Sequence, residues 1–180
     1  MICHIIGCGT IGTNLSVKLC SEKYSDTFHI YDYDHYCFRK DDLCLASNSD
    51  TFSFPVLKTT VLKYYLESIN VNTTVYTHND YVTYFEKMTD KDLVIDCRDN
   101  KNVVINCDFA ISFDSEILVL DPTGKKRNLE SRYLLSNNQK EYLEDCLSFC
   151  YSYIKNEIYK DRRNRILYLC KTKEVLQSKD

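Results

Sequence analysis

The sequence predicts an α/β protein: a doubly wound, mostly parallel sheet flanked by helices, with a helical extension toward the carboxyl end. Two observations carry this. Apolar runs of strand length (ICHII, FHIY, TTVY, DLVID, EILVLD) alternate with stretches of helical spacing. Several of those runs are apolar throughout, which suits strands covered on both faces and paired in parallel. Right-handed crossovers then predict the strand order 3-2-1-4-5, with a crevice above the carboxyl ends of the first and fourth strands.

The elements follow in order. ICHIIG is a strand running into glycines, and TIGTNLSVKLCSEKY is a helix with Ile11, Leu15, Val17, Leu19 and Cys20 as its apolar positions. FHIYDYD is a second strand ending in acids, followed by a polar, irregular stretch from His35 to Ser53. PVLKTTVLKYYLESIN reads as a helix with Pro55 in its first turn and Val56, Val61, Tyr65, Leu66 and Ile69 on the apolar side. TTVYTHND is a strand, DYVTYFEKM a short helix, KDLVIDC a buried strand, DNKNVVINCDFAIS a helix and EILVLD a further buried strand. A polar loop with a basic cluster at Lys125, Lys126 and Arg127 leads to a long amphipathic helix. Its stripe is Leu143, Leu147, Cys150, Tyr151, Ile154 and Ile158. ILYLC reads as an edge strand or as more helix. The whole chain, 1–180, is expected to form one domain, with a core over 1–121 and the loop and helix over 122–180.

Composition narrows the function classes. A formal charge of −3 gives no electrostatic reason to expect nucleic acid or an anionic membrane as partner. The Met1 end lacks a basic leading region, and no stretch approaches the roughly 20 apolar residues of a membrane helix. The expected location is therefore cytoplasmic, with thiols reduced. Most of the ten cysteines fall inside expected strands or helices as small apolar side chains, and no C-x-x-C pair is present. Cys37 and Cys44 lie in the polar loop, with no histidine or helix start placed to activate them. His4 and His29 are expected to have structural roles.

The chemistry gathers around IIGCGTIGTN. Gly7, Gly9 and Gly12 follow a strand and open a helix, the context a nucleotide-binding glycine turn requires. The first permits the sharp turn, the second lets phosphate approach the backbone, and the third lets helix and strand pack closely. A glycine turn kept for packing alone reads the same way. Asp32, at the end of the second strand, stands where an acid accepts ribose hydroxyls, and Asp34 follows on the same side. To this point NAD and an adenine nucleotide are equally served. DLVIDCRDN adds Asp96 at the end of the fourth strand, then Asp99 and Asn100. Acids at the crevice repel pyrophosphate unless Mg²⁺ or a cationic side chain intervenes, and Lys58 is the candidate cation.

With IIGCGTIGTN, IYDYD, PVLK followed eleven residues after its lysine by IN, and DLVIDCRDN, the chain resembles the adenylating family of ThiF, MoeB, HesA and the ubiquitin-activating enzymes, built on a Rossmann-like fold. The resemblance covers residues 2 to 121. It implies ATP and Mg²⁺ as cofactors and adenylation of the C-terminal carboxylate of a ubiquitin-like or sulfur-carrier protein or peptide. On that likeness the glycine loop, with Asn14 closing its motif, faces phosphates, Asp32 and Asp34 stand on the ribose side, and Asp96 and Asn100 line the crevice. Lys58 neutralises phosphate and Asp99 binds Mg²⁺. The family's arginine after the second strand falls on Leu43, leaving Arg39 or Lys40 to substitute; Arg98 and Arg127 match no motif. Relatives pair as homodimers through a helix preceding the first strand, and this chain begins at that strand. Two alternatives stand beside this reading: an NAD-dependent Rossmann oxidoreductase, and a relative whose catalysis has lapsed while nucleotide or protein binding survives.

Overall fold

A computed structural model describes residues 1–36, 55–86, 89, 91–98, 105–113, 117–121, 144, 147–155, 167–170 and 175–177. Ten strands are assigned among them: β1 (Ile2–Ile6), β2 (Thr27–Tyr31), β3 (His35–Tyr36), β4 (Val56–Leu57), β5 (Thr74–His78), β6 (Leu93–Asp96), β7 (Phe109–Phe113), β8 (Ile117–Asp121), β9 (Leu167–Cys170) and β10 (Val175–Gln177). Helices α1 (Thr10–Ser21) and α2 (Lys58–Ile69) link the first strands, and residues 147–155 are helical. Eight strands form one sheet in the order β10-β9-β8-β7-β6-β1-β2-β5, while β3 and β4 pair separately. The pairs from β5 to β7 are parallel and those from β7 to β10 antiparallel. The architecture is the Rossmann-like α/β fold expected, with β1 paired in parallel to both β2 and β6.

The expected order 3-2-1-4 is present as β5-β2-β1-β6. The next strand departs from expectation: β7 occupies the place assigned to EILVLD, which is β8 and runs antiparallel to β7. β7 begins inside the stretch 99–112 expected to be helical. Asp108 explains why. Its N–H donates to the Val94 carbonyl (2.8 Å), and its buried carboxylate accepts the Val94 N–H (2.8 Å). The chain is thereby committed to strand pairing one residue before β7. The short helix expected over 80–88 is also not found, since described residues 80–86 are non-helical. Within ILYLC, Leu167–Cys170 form strand β9, set between β8 and β10.

Registers divide the central sheet into two faces. Cys3, Ile5, Phe28, Ile30, Val75, Leu93, Ile95, Phe109 and Ile111 point to one side, where α1, α2 and helix 147–155 cover them. α1 buries Ile11, Leu15 and Leu19 at four-residue spacing, each fully buried leucine contributing about 1.5–3 kcal/mol. It stops where Lys23 takes a left-handed conformation (φ 54°). α2 buries Thr59, Leu62 and Leu66. Tyr65 and Ile69, expected on its apolar side, are exposed, and Pro55 precedes the helix rather than entering its first turn. Of the stripe expected of the C-terminal helix, Leu147, Cys150, Tyr151 and Ile154 are buried, while Leu143 and Ile158 lie outside the described residues.

Ile6, Val94 and Ala110 point to the other side, where Ile105, Cys107, Val82 and Phe85 pack against them. The described covering of this face is non-helical, so the expectation of helices on both faces is met on one. At the margin of the sheet, α2 reaches over β5. Lys63 Nζ donates to the Val75 carbonyl (2.6 Å), and Glu67 accepts the Val75 N–H (3.2 Å). The two side chains also pair with each other at 2.6 Å.

Candidate functional site

The chain leaves β1 through Gly7, whose φ of +96° belongs to the region that glycine alone enters freely. A Cβ there would also stand 2.9 Å from the Arg98 backbone nitrogen. At Gly12 a Cβ would fall 1.8 Å from the Gly7 carbonyl oxygen and 3.3 Å from Cys97 Cβ, so α1 touches the turn with no side chain between them. Gly9 differs from both: among the described residues, a Cβ there would meet nothing within 4 Å.

Gly9 is also the N-cap of α1, and no side chain caps the helix or places an acid in its first turn. The first intrahelical bond runs from Thr13 N–H to the Gly9 carbonyl (2.9 Å), so the N–H groups before it remain outside the helical ladder. They sum to a positive partial charge aimed past Gly9. The Thr13 hydroxyl fixes the loop from behind by donating to the Cys8 carbonyl (2.9 Å). Asn14 turns back along its helix and donates to the Thr10 carbonyl (2.7 Å).

Asp32 anchors this loop. One carboxylate oxygen accepts the Cys8 N–H (2.6 Å) and the other accepts the Asp34 N–H (2.9 Å). Cys8 itself sits in the turn, outside strand and helix. Burial first, and then the charge of Asp32, push its thiol well above the ordinary range, so it is no nucleophile. The β3–β4 pairing brings the start of α2 to the end of β2: the Lys58 N–H donates to the Asp34 carbonyl (3.1 Å). Lys58 Nζ then bonds the Asp34 carboxylate at 2.7 Å. Partial burial draws the Asp34 carboxyl upward, but the Lys58 hydrogen bond and charge outweigh it and hold it below its ordinary value.

Asp96 is buried at the end of β6, and its partner is Arg98. The guanidinium bonds both carboxylate oxygens (Nε to Oδ1, 2.9 Å; Nη2 to Oδ2, 3.0 Å), and the Arg98 N–H adds a third bond (3.0 Å). Arg98 Nη1 also bonds the Val82 carbonyl. The sequence demanded a cation beside the acids of DLVIDCRDN, and Lys58 was the candidate; Arg98 fills that need at Asp96. An arginine two residues after a strand-end acid was the available signal. Asp99, Asn100 and Arg39 lie outside the described residues, as do Lys40, Cys37, Cys44 and the 125–127 basic cluster.

The described site therefore combines a positively polarised turn, an acid (Asp32) fixed to that turn, and a lysine (Lys58) bonded to an exposed acid. Among the described residues, no group of three or more His, Cys, Asp or Glu side chains is placed to hold a metal ion, and no helix is long and apolar enough to cross a membrane.

No protein-family model matches the sequence, and no curated protein does. Solved structures do match in fold. Escherichia coli MccB with ATP superposes at a TM-score of 0.66 and 17% identity over 98% of this chain and 63% of that one. The microcin C7 biosynthetic enzyme MccB in complex with N-formylated MccA gives 0.63 and 14%, over 98% and 64%. PaaA gives 0.61 and 11%, over 98% and 63%. At these identities the likeness is one of fold. The chain spans a little under two thirds of the length of each structure.

Proposed function

We propose that the chain is the nucleotide-binding part of an ATP-dependent adenylyltransferase. It would activate the C-terminal carboxylate of a peptide or of a ubiquitin-like or sulfur-carrier protein. The observation that carries this reading is the open face at Gly9 in front of uncapped α1, with Lys58 beside it. Likeness of fold to a structure solved with ATP supports the choice of nucleotide.

The described residues fit a triphosphate. Backbone N–H groups at the start of α1 orient phosphate oxygens, and Lys58 offsets their charge by exchanging its exposed partner Asp34 for phosphate. Asp32 keeps the loop in shape through Cys8 while its remaining lone pairs face the ribose position. When bound, ATP supplies the adenylyl group and pyrophosphate as leaving group. The acceptor carboxylate is itself the nucleophile, so the protein contributes position and charge stabilisation rather than a base. Mg²⁺ belongs to this proposal through Asp99. A homodimer and a cytoplasmic location belong to it as well.

The test is Mg²⁺-dependent ATP–pyrophosphate exchange in the presence of candidate carboxylate acceptors. Exchange that is lost in Lys58→Ala and Asp99→Ala supports the enzyme. One specific observation favours a second reading, a nucleotide binder without catalysis: Asp96 is closed by Arg98 and Lys58 by Asp34. ATP binding without exchange for any acceptor selects that reading. Stabilisation by NADH and not by ATP rejects both.

A further inference from the structure

On the ring-lined face of the sheet, His29 of β2 and His78 of β5 share a hydrogen bond, Nδ1 to Nε2 at 3.0 Å. Their rings stack at 5.2 Å and 16°. His78 also stacks on Tyr31 at 4.2 Å and 9°, while His29 lies against Tyr76 (4.7 Å) and His4 of β1 (5.0 Å). Phe85, from the segment over this face, packs edge-on to Tyr31 and His4.

A bond between two imidazoles needs one nitrogen with a free lone pair. It survives the first added proton and fails at the second, when two cations would face each other at hydrogen-bond distance. The acids near the pair are Asp92, acting on His29, and Asp80, acting on His78. Both favour protonation, but burial outweighs them and holds both rings below the ordinary histidine value.

The pair is wired to the glycine loop by two further bonds. The His78 carbonyl, at the end of β5, accepts the Asp32 N–H (3.0 Å), and the Asp32 carboxylate accepts the Cys8 N–H (2.6 Å). We propose that His29 and His78 form a proton-operated latch on the glycine loop. It stays closed while one ring is neutral and opens when both are charged, and its opening loosens Asp32 and weakens anion binding at the loop. The binding half rests on the ATP reading above; the latch itself does not.

Ring-proton NMR of the intact chain, titrated from about pH 7.5 to about pH 4.5, tests it directly. The two histidines should titrate as a coupled pair, the second step below the ordinary histidine range, with the Cys8 and Asp32 amide shifts following that second step. Independent titration of both rings near the ordinary value, with those amides unmoved, overturns the latch without any variant. ATP affinity measured in wild type and in His78→Gln supplies the second arm, and taking their difference cancels the titration of phosphate itself. Wild type should lose about fivefold more affinity than His78→Gln between about pH 7.5 and about pH 4.5. Equal losses overturn the coupling to the loop. If ATP fails to bind even at the higher pH, the ATP reading falls, and the NMR arm still decides the latch.

Discussion

Two ion pairs flank the glycine loop, built from similar charges on opposite terms. Arg98 and Asp96 are almost wholly enclosed, with side chains 8% and 3% exposed, and the guanidinium forks across both carboxylate oxygens. The side chains of Lys58 and Asp34 meet through one bond, and while Lys58 is 13% exposed, Asp34 is 54% exposed. A buried charge that loses its partner has no water to replace it, whereas an exposed one changes partners at small cost. The first pair is suited to fix the strand end; on the proposed function the second yields to a ligand. The two cations are similarly enclosed, and the exposure of the acid is what separates the pairs.

Removing Arg98 should produce the largest effect. Arg98→Ala leaves the Asp96 carboxylate enclosed and should cost about 3–5 kcal/mol in chemical denaturation. A loss below about 1 kcal/mol would place this pair with its exposed counterpart. Gly12→Ala comes next, because it strikes the packing between the pairs: its Cβ would collide with the Gly7 carbonyl. The cost should reach the upper end of the roughly 1–3 kcal/mol seen for overpacking, measured in the same way.

Lys58→Ala should move stability by less than about 1 kcal/mol, and added salt should shrink even that. On the proposed function the same variant abolishes ATP–pyrophosphate exchange. A large stability loss together with intact exchange would exchange the roles given to the two lysine and arginine pairs. The smallest effect concerns acid. Because the Asp34 carboxyl is held low, the stability it gains from Lys58 is present above its ordinary value and lost only as pH falls through the lowered one. The gap in melting temperature between wild type and Asp34→Asn should therefore stay flat from about pH 7 to about pH 5 and narrow below about pH 4.

The first half of the sheet was legible because its signals are local. Gly7 is required by its own positive φ and Gly12 by its contact with the Gly7 carbonyl, both within one strand–turn–helix unit, and Ile11, Leu15 and Leu19 repeat at the helical period. The Lys58–Asp34 meeting was out of reach, since it depends on two-residue strands pairing His35 with Leu57 across the polar stretch. β7 was misread for a related reason. Short apolar runs such as FAIS fit either period, and pairing with β6 and β8 made the choice. α2 was placed correctly but rotated in expectation: its tyrosines are large enough to look like core and are exposed. Arg98 was visible as a residue and invisible as a partner, because a fork onto Asp96 is a matter of side-chain direction.

The pairing of Lys63 and Glu67 over Val75 has a consequence for the molecule's behaviour in company. β5 is the parallel margin of the sheet, and an unguarded margin offers its N–H and C=O groups to any extended chain. Here both groups of Val75 are already occupied by side chains from the molecule's own helix. An incoming strand would have to displace a mutually bonded lysine and glutamate to pair with Val75. At its middle, that edge is guarded against strand addition, the first step of edge-to-edge aggregation.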